Sequence, residues 1–133
     1  MAKKILIGII ALIIAIIIIV LLIILIKQPQ TPSDKITLKD GITLPQANCA
    51  QLGKVTVIHA TGCGACAMTI PKLKELEDEL NMTFNYYDLT IEQEKQAILD
   101  YGLIPEAVPT VIINCKVYVG FRNKEEFRKL ILE

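Results

Sequence analysis

Tryptophan is absent from the sequence, histidine occurs once, and aromatic residues make up only 5% of it. Basic residues are not in excess either, since Lys and Arg together number 14, as do Asp and Glu. Each scarcity removes a class of function. Nucleic-acid binding calls for a basic face. Beyond Gln28 the chain is instead acidic, holding all 14 acidic residues but only 11 of the 14 basic ones, a net charge of −3. A four-ligand zinc site needs two close pairs of ligands, and apart from Cys63 and Cys66 the chain offers only His59, Cys49 and Cys115, which form no second pair. No metal is therefore expected. The nucleophile, base and orienting group of a hydrolase are not discernible, and there is no internal repeat.

What the chain has in surplus is apolar residues. A hydrophobic content of 53% and a mean hydropathy of +0.49 are too high for an ordinary soluble domain of 133 residues. The excess lies in residues 5–26, ILIGIIALIIAIIIIVLLIILI, a run without a charged or hydrogen-bonding side chain. At ~1.5 Å per residue it reaches ~33 Å as a helix, enough to cross a bilayer core. The competing reading is a cleaved secretory signal. Against it, the run exceeds the ~7–15 apolar residues of a signal core, and the exit KQPQTPS has no small-x-small site. Lysines flank both ends (Lys3 and Lys4; Lys27, Lys35 and Lys39), so their count does not orient the span. A short basic N-terminal tail favours an outward-facing C-terminal domain. The predicted organisation is an anchor (1–27), a proline-bearing linker (28–34) and one domain of about 100 residues (35–133).

Within that domain, KVTVIHA (54–60) is a β-branched strand ending at a Thr-Gly break. From Gly64 to Leu80 the apolar positions Met68, Leu73, Leu76 and Leu80 recur at helical spacing. Residues 82–89 read as a second strand. Residues 90–102 read as a helix with Thr90 as N-cap, Gln93 completing a capping box and Gly102 as the stop. Residues 109–120 form a hairpin turning at Asn114, Cys115 and Lys116, and residues 123–133 a capped amphipathic helix. ITLKDGITL (36–44) suggests a further small hairpin about Asp40-Gly41.

The strand–helix junction holds the chemistry, in the sequence CGAC (63–66). Cys63 falls at a helix N-terminus, where free backbone N–H groups and the helix dipole favour a thiolate. It is the expected nucleophile. Cys66, one turn further on, is the expected resolving thiol, and Gly64 and Ala65 add little bulk between them. Two neighbouring thiols of unequal pKa are the minimum needed to attack a disulfide and then break the mixed disulfide.

Four features in this order resemble the thioredoxin superfamily over residues 54–132: CGAC after a strand, Pro71 five residues beyond the second cysteine, VPT at 108–110, and a terminal hairpin and helix. The resemblance implies an α/β fold with a central mixed β-sheet flanked by helices, here preceded by a single N-terminal transmembrane helix. It implies that Pro71 kinks the active-site helix, and that the Val108-Pro109 bond is cis and faces the cysteines. The Val108 backbone would then pair with an extended substrate chain. Val108, Pro109, Gly64 and Ala65 are accordingly the expected substrate-binding residues.

The chain departs from thioredoxins in having Gly62 where they carry tryptophan and Val57 where they carry a buried aspartate. The usual proton relay is missing. His59 is a candidate modulator of the thiols, the alternative being a histidine at a strand end near the core. The loop before VPT is two residues longer, holding Ile104, Pro105, Glu106 and Ala107. The hairpin is more similar to that of glutaredoxins, yet GFRN (120–123) stands in place of their glutathione-binding Gly-Gly-x-Asp, so glutathione is not expected. This blend is similar to the small archaeal protein disulfide oxidoreductases. In a sheet of this kind Cys49 and Cys115 fall at the same pole, away from the active site. A structural disulfide is one reading, and two unrelated thiols the other.

The expected function is a membrane-tethered thiol–disulfide oxidoreductase acting on protein disulfides at the outer face of a cytoplasmic membrane. It would need no dissociable cofactor, but an electron donor or acceptor must reset it, either a membrane protein or a soluble thioredoxin. Two other readings stay open. One is a thioredoxin-like binding module, or copper or haem-maturation partner, without turnover of its own; the other is the same enzyme facing the cytoplasm.

Overall fold

The computed structural model describes residues 2–26 and 34–133, and the chain divides into two compact units, Met1–Gln30 and Thr31–Glu133. The expected linker, residues 28–34, lies outside the described residues except for Asp34.

The first unit is one helix, α1 (Ala2–Ile26). Within it Lys4–Leu25 form an apolar stretch of 22 residues with mean hydropathy 3.8, none of it buried. Every large apolar side chain from Ile5 to Leu25 is exposed. A one-sided stripe would mark a helix that packs on a protein core; an all-round apolar surface matches a span or a signal segment.

The second unit is a thioredoxin-like α/β fold. Its elements are β1 (Ile36–Leu38), α2 (Gln46–Cys49), β2 (Val55–His59), α3 (Gly64–Leu80), β3 (Asn85–Asp88), α4 (Glu92–Asp100), β4 (Leu103–Pro105), β5 (Thr110–Ile113), β6 (Lys116–Val119) and α5 (Lys124–Leu132). The central sheet has the order β3-β2-β5-β6. Strand β3 is parallel to β2, while β5 is antiparallel to both β2 and β6, so the sheet is mixed.

Alternation along β2 and β5 sends side chains to two cores. Val55, Val57, Val111 and Ile113 face Leu73 and Leu76 of α3 and Phe127 and Ile131 of α5. Ile58 and Ile112 face the opposite layer, with Leu38, Leu44, Cys49, Leu52, Ile98 and Leu103. Burial on both faces explains why both strands read as unbroken β-branched apolar runs.

Four sequence expectations change. The arms of residues 36–44 do not pair with each other. Asp40-Gly41 does turn, with Gly41 at φ +81°, but β1 runs parallel to β4 and Thr43 bridges Lys116 on the edge of β6. The extended loop before VPT supplies β4, so both arms find partners far along the chain. Helix α4 begins at Glu92 with Ile91 as its N-cap and no capping side chain; the Thr90 hydroxyl bonds to Asp88 instead, so the predicted capping box with Gln93 is not formed. Met68 is 55% exposed. The inner stripe of α3 starts instead with Cys66 and Thr69, whose hydroxyl is satisfied by the Ala65 carbonyl (2.9 Å).

Candidate active site

Strand β2 ends at His59, and four residues carry the chain into α3. The Cys63 amide donates to the Ala60 carbonyl (3.2 Å), and Gly62 has φ +85°, a conformation open to glycine at little cost. Cys63 is the N-cap of α3, and its Sγ accepts a hydrogen bond from the Cys66 amide (3.1 Å). This is the position at which a helix offers unpaired N–H groups and the positive end of its dipole.

Cys63 and Cys66 are bridged, with Cα atoms 5.2 Å apart. Their surroundings differ. Cys63 is half-buried, whereas Cys66 is 1% exposed and belongs to the inner stripe of α3. One sulfur is within reach of a partner and the other is shielded. Gly64 is exposed and Ala65 half-buried on the first turn beside them. Pro71 lies within α3 and has no N–H to return to the Ala67 carbonyl.

The Val108-Pro109 bond is cis, and the Val108 carbonyl oxygen is 3.7 Å from Cys63 Sγ. Residues 45 positions apart in the chain therefore meet at one point. The loop is held from two sides, by Thr110 Oγ1 donating to the Ala107 carbonyl (2.7 Å) and Gly120 N donating to the Pro109 carbonyl (2.8 Å).

His59 makes its polar and aromatic contacts with β3. Its Nδ1 is 3.9 Å from Asp88 Oδ2 and its ring meets Tyr86 edge-on at 6.4 Å, and no hydrogen bond joins it to either cysteine among the described residues. Asp88, which sequence reasoning passed over, is buried at the end of β3. Hydrogen bonds from the Thr61 hydroxyl, the Thr90 hydroxyl and the Thr90 amide hold its carboxyl well below the usual carboxylate range. The available signal was Asp-x-Thr at the end of a strand, a pattern that makes an Asx-type turn.

Cys49 and Cys115 form a second bridge, with Cα atoms 5.5 Å apart. Cys115 follows Asn114 in the two-residue turn between β5 and β6, and both have positive φ, +67° and +48°. Among the described residues no three His, Cys, Asp or Glu side chains converge as a metal site.

No family model matches the chain. It is 26% identical over 82 residues to a thioredoxin of Listeria monocytogenes, a match that covers 58% of this chain and 78% of the relative. It is also 26% identical over 77 residues to a thioredoxin of Bacillus subtilis, covering 54% and 72% respectively. Among solved structures, Fasciola hepatica thioredoxin matches at 26% identity with a TM-score of 0.45, over 59% of this chain and 76% of that one.

Proposed function

We propose that this chain is a membrane-tethered thiol–disulfide oxidoreductase that exchanges disulfides with protein substrates through Cys63 and Cys66. The observation that carries the reading is the seat of Cys63: N-cap of α3, its sulfur receiving the Cys66 amide and lying 3.7 Å from the Val108 carbonyl.

In the reducing direction the reduced pair starts as a Cys63 thiolate beside a Cys66 thiol. The helix N-terminus stabilises the charge on Cys63. An extended substrate segment docks against Val108 and Pro109, a substrate N–H donating to the Val108 carbonyl by β-augmentation. Gly64 and Ala65 leave room for it. The thiolate attacks one substrate sulfur in line with its S–S bond, forming a Cys63–substrate disulfide and expelling the other substrate sulfur as a thiolate. Cys66 then loses its proton and attacks Cys63 Sγ. The second substrate sulfur leaves, the Cys63–Cys66 bridge closes, and two electrons and the Cys66 proton have passed to the substrate, whose other thiolate takes its proton from water. In the oxidising direction the same steps run backwards. No dissociable group takes part, and a thiol or disulfide partner, in the membrane or soluble, restores the starting state.

The architecture assigned to this function is an anchor (1–27), a linker (28–34) and a redox domain (35–133). The all-round apolar surface of α1 supports a single span of a cytoplasmic membrane. The Cys49–Cys115 bridge, separate from the exchanging pair, supports an extracytoplasmic domain, because such bridges persist in oxidising compartments.

The test is reduction of insulin disulfides by the full chain in detergent micelles with dithiothreitol as reductant. Cys63→Ser is expected to abolish turnover, and Cys66→Ser, reduced and then freed of dithiothreitol before insulin is added, to accumulate a Cys63–insulin adduct visible by non-reducing electrophoresis. Turnover that survives Cys66→Ser undiminished would remove the resolving role of Cys66.

A further inference from the structure

Asp88 plays no part in the exchange steps above, yet its carboxylate collects four hydrogen bonds. Oδ2 accepts from Thr61 Oγ1 (2.5 Å), and Oδ1 accepts from Thr61 N (3.2 Å), Thr90 N (2.8 Å) and Thr90 Oγ1 (2.6 Å). The ionisable groups facing it are His59 of β2, 3.9 Å from Oδ2, and Glu94 of α4, whose Oε2 accepts from the Asp88 amide (2.6 Å). An ionised, acceptor-only carboxylate suits four donors.

Two of the donors belong to Thr61, two residues before Cys63. Packing does little to hold the chain there, because Thr61 and Gly62 are exposed and nothing lies within 4 Å of where a Gly62 Cβ would stand. Among the described residues the segment is tied only by the Cys63–Ala60 backbone bond and by Asp88. Given the reading of Cys63 as the nucleophile, the geometry points to Asp88 and Thr61 as positioning residues: a clasp that fixes the turn into α3 and so keeps Cys63 Sγ against the Cys66 amide. Neither residue touches the reacting sulfurs. With the clasp opened, the thiolate loses a steady N–H donor, and the thiol holds its proton to higher pH.

The experiment measures the rate of Cys63 alkylation by iodoacetamide against pH, on the reduced full chain in detergent micelles, with peptide mapping to separate the four cysteines. Thr61→Val removes one exposed hydroxyl and leaves the core untouched; Thr61→Ser restores the donor; Asp88→Ala removes the acceptor. Thr61→Val and Asp88→Ala are expected to move the alkylation midpoint upward, slowing reaction below the midpoint by about threefold or more, with Thr61→Ser matching the parent. A parent midpoint at the ~8.5 of a free cysteine would overturn the reading of Cys63 as an activated nucleophile. A depressed parent midpoint left unmoved by Thr61→Val, or moved as far by Thr61→Ser, would overturn the clasp alone.

Discussion

At the scale of single residues, Cys115 carries an unusual combination of constraints. The two-residue connection between β5 and β6 needs positive φ at both positions, which glycine and asparagine tolerate and other side chains resist. Asn114 fits that rule and Cys115, at φ +67°, does not. Its bond to Cys49 offsets the cost by closing a loop of 66 positions, a constraint worth roughly 2–4 kcal/mol. The two effects separate by substitution. Cys115→Ala loses the bridge and keeps a Cβ at the left-handed position, whereas Cys115→Gly loses the bridge and relieves the strain. Both are expected to unfold at lower urea than the parent, with Cys115→Gly the more stable of the two by about 1 kcal/mol. Equal midpoints would place the cost of the turn outside Cys115.

Two tyrosines of β3 make the stability of the same domain depend on alkaline pH. Burial, and then the Glu77 carboxylate that accepts from its hydroxyl (2.9 Å), push the Tyr86 phenol upward. Burial and the neighbouring Tyr101 push Tyr87 up to about 12. A phenol whose folded pKa lies above its unfolded value of 10.0 stabilises the fold fully below pH 10 and loses that contribution as pH rises through the folded value. Urea midpoints are thus expected to fall between pH 10 and 12. Tyr86→Phe, which cannot ionise, should flatten that fall; an unchanged slope would remove Tyr86 from the account.

At the scale of elements, α5 combines a local signal with a global one. Asn123 accepts from the Glu126 amide (2.9 Å) and Glu126 Oε2 accepts from the Asn123 amide (2.9 Å), a reciprocal capping box. Phe127 and Ile131, four positions apart, are completely buried against β2, β5 and α3. Asn123→Ala is expected to cost about 1 kcal/mol in urea unfolding, and Phe127→Ala about 3–5 kcal/mol. A loss from Asn123→Ala near that of Phe127→Ala would mean that the cap organises more than its own helix.

The contrast between α5 and α4 shows what was legible beforehand. Both carry a capping-box pattern, but in α4 the Thr90 hydroxyl donates to Asp88 two residues before it, a local Asx-type bond that competes with the cap. Strands β2, β3, β5 and β6 and helices α3 and α5 could be read because their periods and turn residues act locally. Strands β1 and β4 could not, since three residues each, paired 67 positions apart, carry no period of their own. The site divides in the same way. The change from strand to helix period placed Cys63 at a helix start from sequence alone, and resemblance pointed to the Val108 loop. Asp88 stayed hidden because its importance lies in which donors surround it.

At the scale of the whole molecule, the chain joins a helix with exposed apolar side chains on every side to a domain with two well-filled cores. An exposed apolar surface of that extent is not stable in water, so the full chain should partition with membranes and remain there after an alkaline carbonate wash. The side on which the redox domain lies is decided by access to the thiols. In intact bacterial cells expressing the full chain, treated with a membrane-impermeant phosphine and then with a membrane-impermeant maleimide, Cys63 is expected to be labelled without permeabilisation. Cys49 and Cys115 should resist that reduction longer, because Cys49 is 5% exposed and packed in the core around Ile58 and Ile112. Labelling of Cys63 only after permeabilisation would place the domain in the cytoplasm. The Cys49–Cys115 bridge would then have to persist against a reducing thiol pool, and the assignment of substrates outside the membrane would fall with the orientation.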